Sequence, residues 1–147
     1  MSVTVDANVL VYASDADAPK HEANRALLER LAAGPDLVHV FWPVAMAYLR
    51  IVTHPRIFER PLDPAVARAN LDALVSRPHV RTPGEGDGFW GAFRDTTAGD
   101  VIRGNLVPDA HIAALMREHG VATIWTSDRD FRRFPGITVR DPSAAGS

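Results

Sequence analysis

The chain of 147 residues contains no cysteine. That absence excludes a disulfide framework, thiolate ligation of zinc and a cysteine nucleophile. Lysine is nearly missing as well: Lys20 is the one lysine among 16 basic residues, and the others are arginine. No apolar run approaches the ~18 residues that a bilayer span requires. The opening Met1-Ser2-Val3-Thr4-Val5-Asp6 lacks the basic start and apolar stretch of a secretory signal. The expectation is a cytoplasmic protein with no membrane segment. Charge of one sign is also lacking, since the net charge is −2. Taken alone this argues against a nucleic-acid partner, although arginine supplies the planar fork that grips phosphate bidentately.

What is present is a globular balance of 46% hydrophobic and 23% charged residues, which argues against disorder. The length fits one domain over residues 1–142, with 143–147 read as a disordered tail. Ser2 to Asp6 reads as a strand that runs directly into a helix beginning near Ala7. Ala23, Ala26, Leu27, Leu28 and Leu31 recur at helical spacing over residues 20–33, before Gly34-Pro35 stops the run. Leu37 to Phe41 is a second strand, and Pro43 suits the first turn of a helix that ends at His54-Pro55. Helices follow at 64–76, 88–98 and 108–120, with strands at Val121–Trp125 and Ile137–Val139. This alternation predicts a three-layer α/β/α domain with a short, mainly parallel sheet.

Ligands of open α/β sheets bind beyond the carboxyl ends of the strands, and three acids fall at such places. Asp6 ends the first strand, Asp128 follows the strand at Trp125-Thr126, and Asp109 lies in the first turn of the helix after Pro108. Each alone is explained as a cap or a helix-dipole partner. Together they would repel by a few kcal/mol per pair at an effective dielectric near 20, a cost that a cation relieves. All-oxygen ligation points to Mg²⁺ or Mn²⁺. Such an ion activates water and offsets charge on a phosphoryl group, so the implied chemistry is phosphodiester hydrolysis.

Three segments carry a family resemblance: Val5-Asp6-Ala7-Asn8-Val9-Leu10, Val107-Pro108-Asp109-Ala110-His111-Ile112, and Trp125-Thr126-Ser127-Asp128-Arg129-Asp130-Phe131. With Thr53-His54-Pro55-Arg56-Ile57-Phe58 and Phe134-Pro135-Gly136-Ile137, they resemble the PIN-domain ribonucleases, and more narrowly the VapC-type toxins of bacterial VapBC toxin–antitoxin pairs. The resemblance implies a metal-dependent endoribonuclease with Asp6, Asp109 and Asp128 as catalytic and metal-holding acids. Asn8 and Ser127 are implied as donors that orient those carboxylates. Asp130 reads first as the cap of the following turn, with a peripheral ligand role as the alternative. Arg129, Arg132 and Arg133 are candidate phosphate contacts for RNA. A VapB-type antitoxin and a homodimer follow as implied partners.

One departure stands out. The family usually carries a glutamate where this chain has Ala47, and none of Glu22, Glu29, Glu59, Glu85 or Glu118 replaces it in that helix. The alternative is therefore a weakened PIN fold that binds RNA or an antitoxin without cutting. The six histidines lack metal-ligand spacing and read as structural. Gly84-Glu85-Gly86-Asp87-Gly88 is a flexible loop, not a phosphate loop, because its acids would repel phosphate. Receiver and haloacid-dehalogenase chemistry each need a lysine that Lys20 cannot supply from its early position.

Overall fold

The computed structural model describes residues 1–144, and its strands are short. They are β1 (Ser2–Val5), β2 (Leu37–His39), β3 (Val80–Arg81), β4 (Thr123–Trp125) and β5 (Thr138–Arg140). All pairings are parallel, in the order β3-β2-β1-β4-β5. The helices are α1 (Ala7–Ser14), α2 (His21–Ala33), α3 (Trp42–Val52), α4 (Pro64–Val75), α5 (Phe89–Thr97) and α6 (Leu106–Glu118). A 3₁₀ turn follows β4 at Arg129–Arg133. No helix among the described residues is long and apolar enough to cross a membrane.

β1 occupies the centre, and its consecutive residues Val3, Thr4 and Val5 are all at most 2% exposed. Successive strand residues point to opposite faces, so both faces of the sheet are covered. This is the expected three-layer α/β/α arrangement. The two-residue β3 has no run of β-formers behind it and is a strand only because β2 pairs with it. β2 stops at His39, two residues short of the expected end, because Phe41 already serves as the N-cap of α3. α6 begins at Leu106 rather than Pro108, and Pro108 is tolerated because a first-turn N–H has no helical partner.

α6 ends in a Schellman closure. Val121 N–H donates to the Met116 carbonyl at 2.8 Å, and Gly120 adopts a φ of 69° that disfavours any side chain. The chain thus turns directly from α6 into β4. At the C-terminus, Ser143 donates to the Asp141 carboxylate at 2.9 Å. The rest of the expected tail, 145–147, lies outside the described residues.

Three helices also share one polar contact at the hydroxyl of a buried tyrosine. Tyr48 is 2% exposed, its hydroxyl lies 2.7 Å from Ser14 Oγ, and it accepts from Asn70 Nδ2 at 3.0 Å. This ties α1, α3 and α4 together. Tyr48→Phe removes both bonds, and because exposed Asn70 and half-buried Ser14 can turn to water it should cost about 0.5–1.5 kcal/mol of stability. Urea unfolding in chelator measures this; an unchanged midpoint would mean the contact holds nothing together.

Candidate metal centre

The strand order reverses direction between β1 and β4, which is where open α/β sheets form their ligand crevice. Their register sets Val5 opposite Trp125, and the Asp6 N–H donates to the Trp125 carbonyl at 3.0 Å. The next residue on each strand, Asp6 and Thr126, therefore meet at the carboxyl edge. The Thr126 hydroxyl donates to Asp6 Oδ2 at 2.9 Å. It accepts from Asn8 Nδ2 at 3.0 Å and from the Asp128 N–H at 3.0 Å. One donor and two acceptor sites are the whole capacity of a hydroxyl, and all are used.

Asp6 is 8% exposed and caps α1 through the Ala7 N–H at 2.8 Å, while Asn8 Nδ2 adds a bond to Oδ2 at 3.2 Å. Burial pushes its carboxyl above the ordinary value, opposed by the Thr126 and Ala7 bonds and reinforced by the charge of Asp128. Asn8 also accepts the Ser127 N–H at 3.4 Å, so Ser127 takes part through its backbone.

Asp128 caps the 3₁₀ turn by accepting the Asp130 N–H at 2.9 Å. The cap of that turn is Asp128, and the carboxylate of Asp130 is free to do something else. It joins Asp109 and Asp128, the three offering oxygens within 4.8 Å of one another. Burial first, then the charges of Asp128, Asp6 and Asp130, push the Asp109 carboxyl up to about 7, with Arg133 opposing them. The magnitudes explain the direction. A helix N-terminus favours a first-turn carboxylate by ~0.3–1 kcal/mol. Carboxylates separated by 4.8 Å repel by ~3–4 kcal/mol per pair at an effective dielectric near 20. Repulsion wins over the dipole. An oxygen-only donor set with this excess of negative charge fits a hard divalent cation.

The three arginines separate. All three are exposed, but Arg133 reaches Asp100 Oδ2 at 3.1 Å and Asp130 Oδ1 at 3.7 Å, while Arg129 and Arg132 make no ion pair among the described residues. Ala47 lies half-buried on α3 and brings no carboxylate. The histidines serve structure. His21, His79 and His119 donate to the carbonyls of Tyr12, Leu31 and Gly84. His54 accepts the Arg56 N–H, and His39 is buried beside Phe41. His111 meets Glu85 at 2.6 Å. Together with Glu118, which accepts the Gly86 N–H at 3.1 Å, His111 and His119 tie the glycine-rich segment to α6, where a flexible loop was expected.

Thr126 is the residue that sequence reasoning missed. It carries no spacing signature, but the β1–β4 register alone places it beside Asp6.

A sheet switch point lined with carboxylates over a five-stranded parallel sheet defines a class, and the PIN domain model matches residues 3–137, so the chain belongs to the PIN-domain family. Within it the chain falls among the VapC ribonucleases. It is 54% identical over 142 residues to Ribonuclease VapC48 of Mycobacterium tuberculosis (strain ATCC 25618 / H37Rv), covering 97% of this chain and 98% of that protein. It is 38% identical over 138 residues to Ribonuclease VapC43 of the same strain, covering 94% and 93%. Two solved structures share the fold. VapBC2 from Rickettsia felis, bound to a DNA fragment from its promoter, matches with a TM-score of 0.67 at 18% identity over 96% of this chain and 98% of that one. Mycobacterium tuberculosis VapC20, described as a Sarcin-Ricin loop cleaving toxin, gives 0.62 at 19% identity over 88% and 92%.

The raised Asp109 carboxyl makes metal-free stability pH-dependent. The folded chain holds that proton up to about pH 7, whereas the unfolded chain releases it near 3.8, so stability falls as pH rises through that window. Asp109→Asn removes the loss. In chelator at pH 8 it should be more stable than the parent by roughly 1–2 kcal/mol after solvent screening, with no advantage at pH 4. Denaturant unfolding at both pH values checks this, and parallel behaviour of the two proteins would refute the raised Asp109 carboxyl.

Proposed function

We propose that this chain is an endoribonuclease that hydrolyses RNA phosphodiester bonds with Mg²⁺ or Mn²⁺, and that it is the toxin of a type II toxin–antitoxin pair. The observation that carries the reading is the convergence of Asp109, Asp128 and Asp130 beside Asp6 at the sheet switch point. These four carboxylates would hold the ion, with Asp6, Asp109 and Asp128 as the catalytic acids. The ion supplies an activated water and offsets charge on the phosphoryl group when bound. Thr126 and Asn8 fix the Asp6 carboxylate, and the Thr126 hydroxyl also sets the Asp128 backbone. Arg129 and Arg132 share the outward face of the 3₁₀ turn and are the phosphate contacts.

The VapBC2 structure that shares this fold supports a VapB-type antitoxin as partner, and the cytoplasm is the place of action under this reading. A homodimer belongs to the same reading, with the exposed Trp90 (63%), Met46 (52%) and Trp42 (45%) as candidate contacts. The second reading, a PIN fold that binds RNA or antitoxin without cutting, is favoured by the absence of a carboxylate at Ala47.

Incubation of total RNA with the purified protein separates the two. Discrete fragments should form with Mn²⁺ or Mg²⁺, and none with chelator or with Asp109→Asn. Retention of RNA in chelator with no fragments under any metal would leave the binder. Ala47→Glu adds a ligand and should tighten Mn²⁺ binding by roughly tenfold, or ~1.4 kcal/mol. An unmoved affinity would show that position 47 does not face the centre.

A further inference from the structure

The 3₁₀ turn that follows β4 repeats its side-chain directions every third residue. Its sequence Arg129-Asp130-Phe131-Arg132-Arg133-Phe134 follows the same period. Phe131 and Phe134 are 0% and 2% exposed, with ring centroids 6.0 Å apart, and anchor one side in the core. Arg129 and Arg132 share a second side. Asp130 and Arg133 share the third, which looks onto the acidic group.

Arg133 is therefore oriented differently from its two neighbours. One guanidinium nitrogen donates to Asp100 Oδ2 at 3.1 Å, and the other lies 3.7 Å from Asp130 Oδ1. Asp100 belongs to the segment between α5 and α6 and is itself held, since its Oδ1 accepts the Val101 N–H at 2.7 Å. Arg133 thus bridges the acidic group to the segment that leads into α6, the helix bearing Asp109. Its side chain stays 32% exposed, so what sets it apart from Arg129 and Arg132 is its two carboxylate partners rather than burial.

We propose that Arg133 is the resident counter-ion of the acidic group. It holds Asp130 in place when the centre is empty and lowers the affinity of the centre for a divalent ion, with Asp100 setting how far its charge leans toward the carboxylates. Arg133 is a positioning residue under this assignment, which rests on the metal-centre reading above. Its role is distinct from the phosphate contacts assigned to Arg129 and Arg132.

Calorimetric titration of the full chain with Mn²⁺ tests this. Arg133→Gln removes the competing charge and should bind Mn²⁺ about two- to fivefold tighter, the size of a partly exposed charge pair. Asp100→Asn frees the guanidinium to turn fully toward Asp130 and should weaken binding by about the same factor. The double variant should bind like Arg133→Gln, because Asp100 acts only through Arg133. A purely structural role moves both single variants the same way, and a phosphate hook leaves Mn²⁺ affinity unmoved while RNA affinity falls; either result overturns the proposal. Should Arg133→Gln fail to fold by circular dichroism, Asp100→Asn decides alone, and unchanged or tighter binding overturns it. A parent chain that binds no Mn²⁺ removes the metal centre itself and this inference with it, a different failure from a parent that binds while Arg133→Gln matches it.

Discussion

The pairing of β1 with β4 places the Asp6 N–H on the Trp125 carbonyl at 3.0 Å, and the positions of the other acids follow from that bond. It brings Thr126 level with Asp6 at the carboxyl edge. The Thr126 hydroxyl then fixes the Asp6 carboxylate on one side and the Asp128 backbone on the other. Asp128 in turn caps the 3₁₀ turn and delivers Asp130. A shift of the register by one residue would send the Asp6 and Thr126 side chains to opposite faces and dismantle the whole chain of contacts. Asp109 arrives independently, on the N-terminal turn of α6, and the Schellman closure at Gly120 fixes how α6 returns into β4.

Local electrostatics in this centre oppose folding. Asp109 stands where a helix dipole should welcome it, yet burial and three neighbouring carboxylates raise its carboxyl to about 7. Asp6 bears its burial better because three donors face it. Hydrogen bonding thus carries the inner acid, while the outer group relies on countercharge. Among the described residues, the cation in direct contact with that group is the Arg133 guanidinium. Burial of the apolar core offsets that electrostatic cost: Val3, Val5, Ile124 and Phe131, on or beside the strands that carry the acids, are all at most 2% exposed.

Much of this was legible in the sequence because strand ends and helix starts have chemical signatures. Asp6 closing a β-rich run, Asp109 beside Pro108, and Asp128 after Trp125-Thr126 could be placed at one edge from topology alone. The parallel sheet followed from the alternation of elements. Other features had no such signature. β3 is two residues long and owes its existence to its neighbour. Thr126 is one hydroxyl whose importance depends on register. Asp130 was ambiguous because a capping aspartate and a ligand look identical in sequence, and only the bond from its own N–H to Asp128 shows which of the two caps the turn. The arginines were indistinguishable until the turn proved to be 3₁₀, after which a period of three assigns each a direction.

That same period bears on Ala47. Read from sequence, the missing glutamate reduces the centre to three principal acids. In the fold a further carboxylate stands in the acidic group, that of Asp130, on the same side of the 3₁₀ turn as Arg133. The number of acids is thereby kept, but the charge is not, since Asp130 arrives with a guanidinium attached. A glutamate at position 47 whose carboxylate reached the group would add repulsion of ~3 kcal/mol for each close neighbour in the empty fold. With alanine there, the empty centre is easier to hold, and the proton on Asp109 removes part of what repulsion remains near neutral pH. A cation held there would require that proton to leave, so binding it would be coupled to proton release. The raised Asp109 carboxyl favours the empty state and would make cation binding depend on pH, whereas alanine at position 47 leaves one carboxylate fewer to be held apart when the centre is empty.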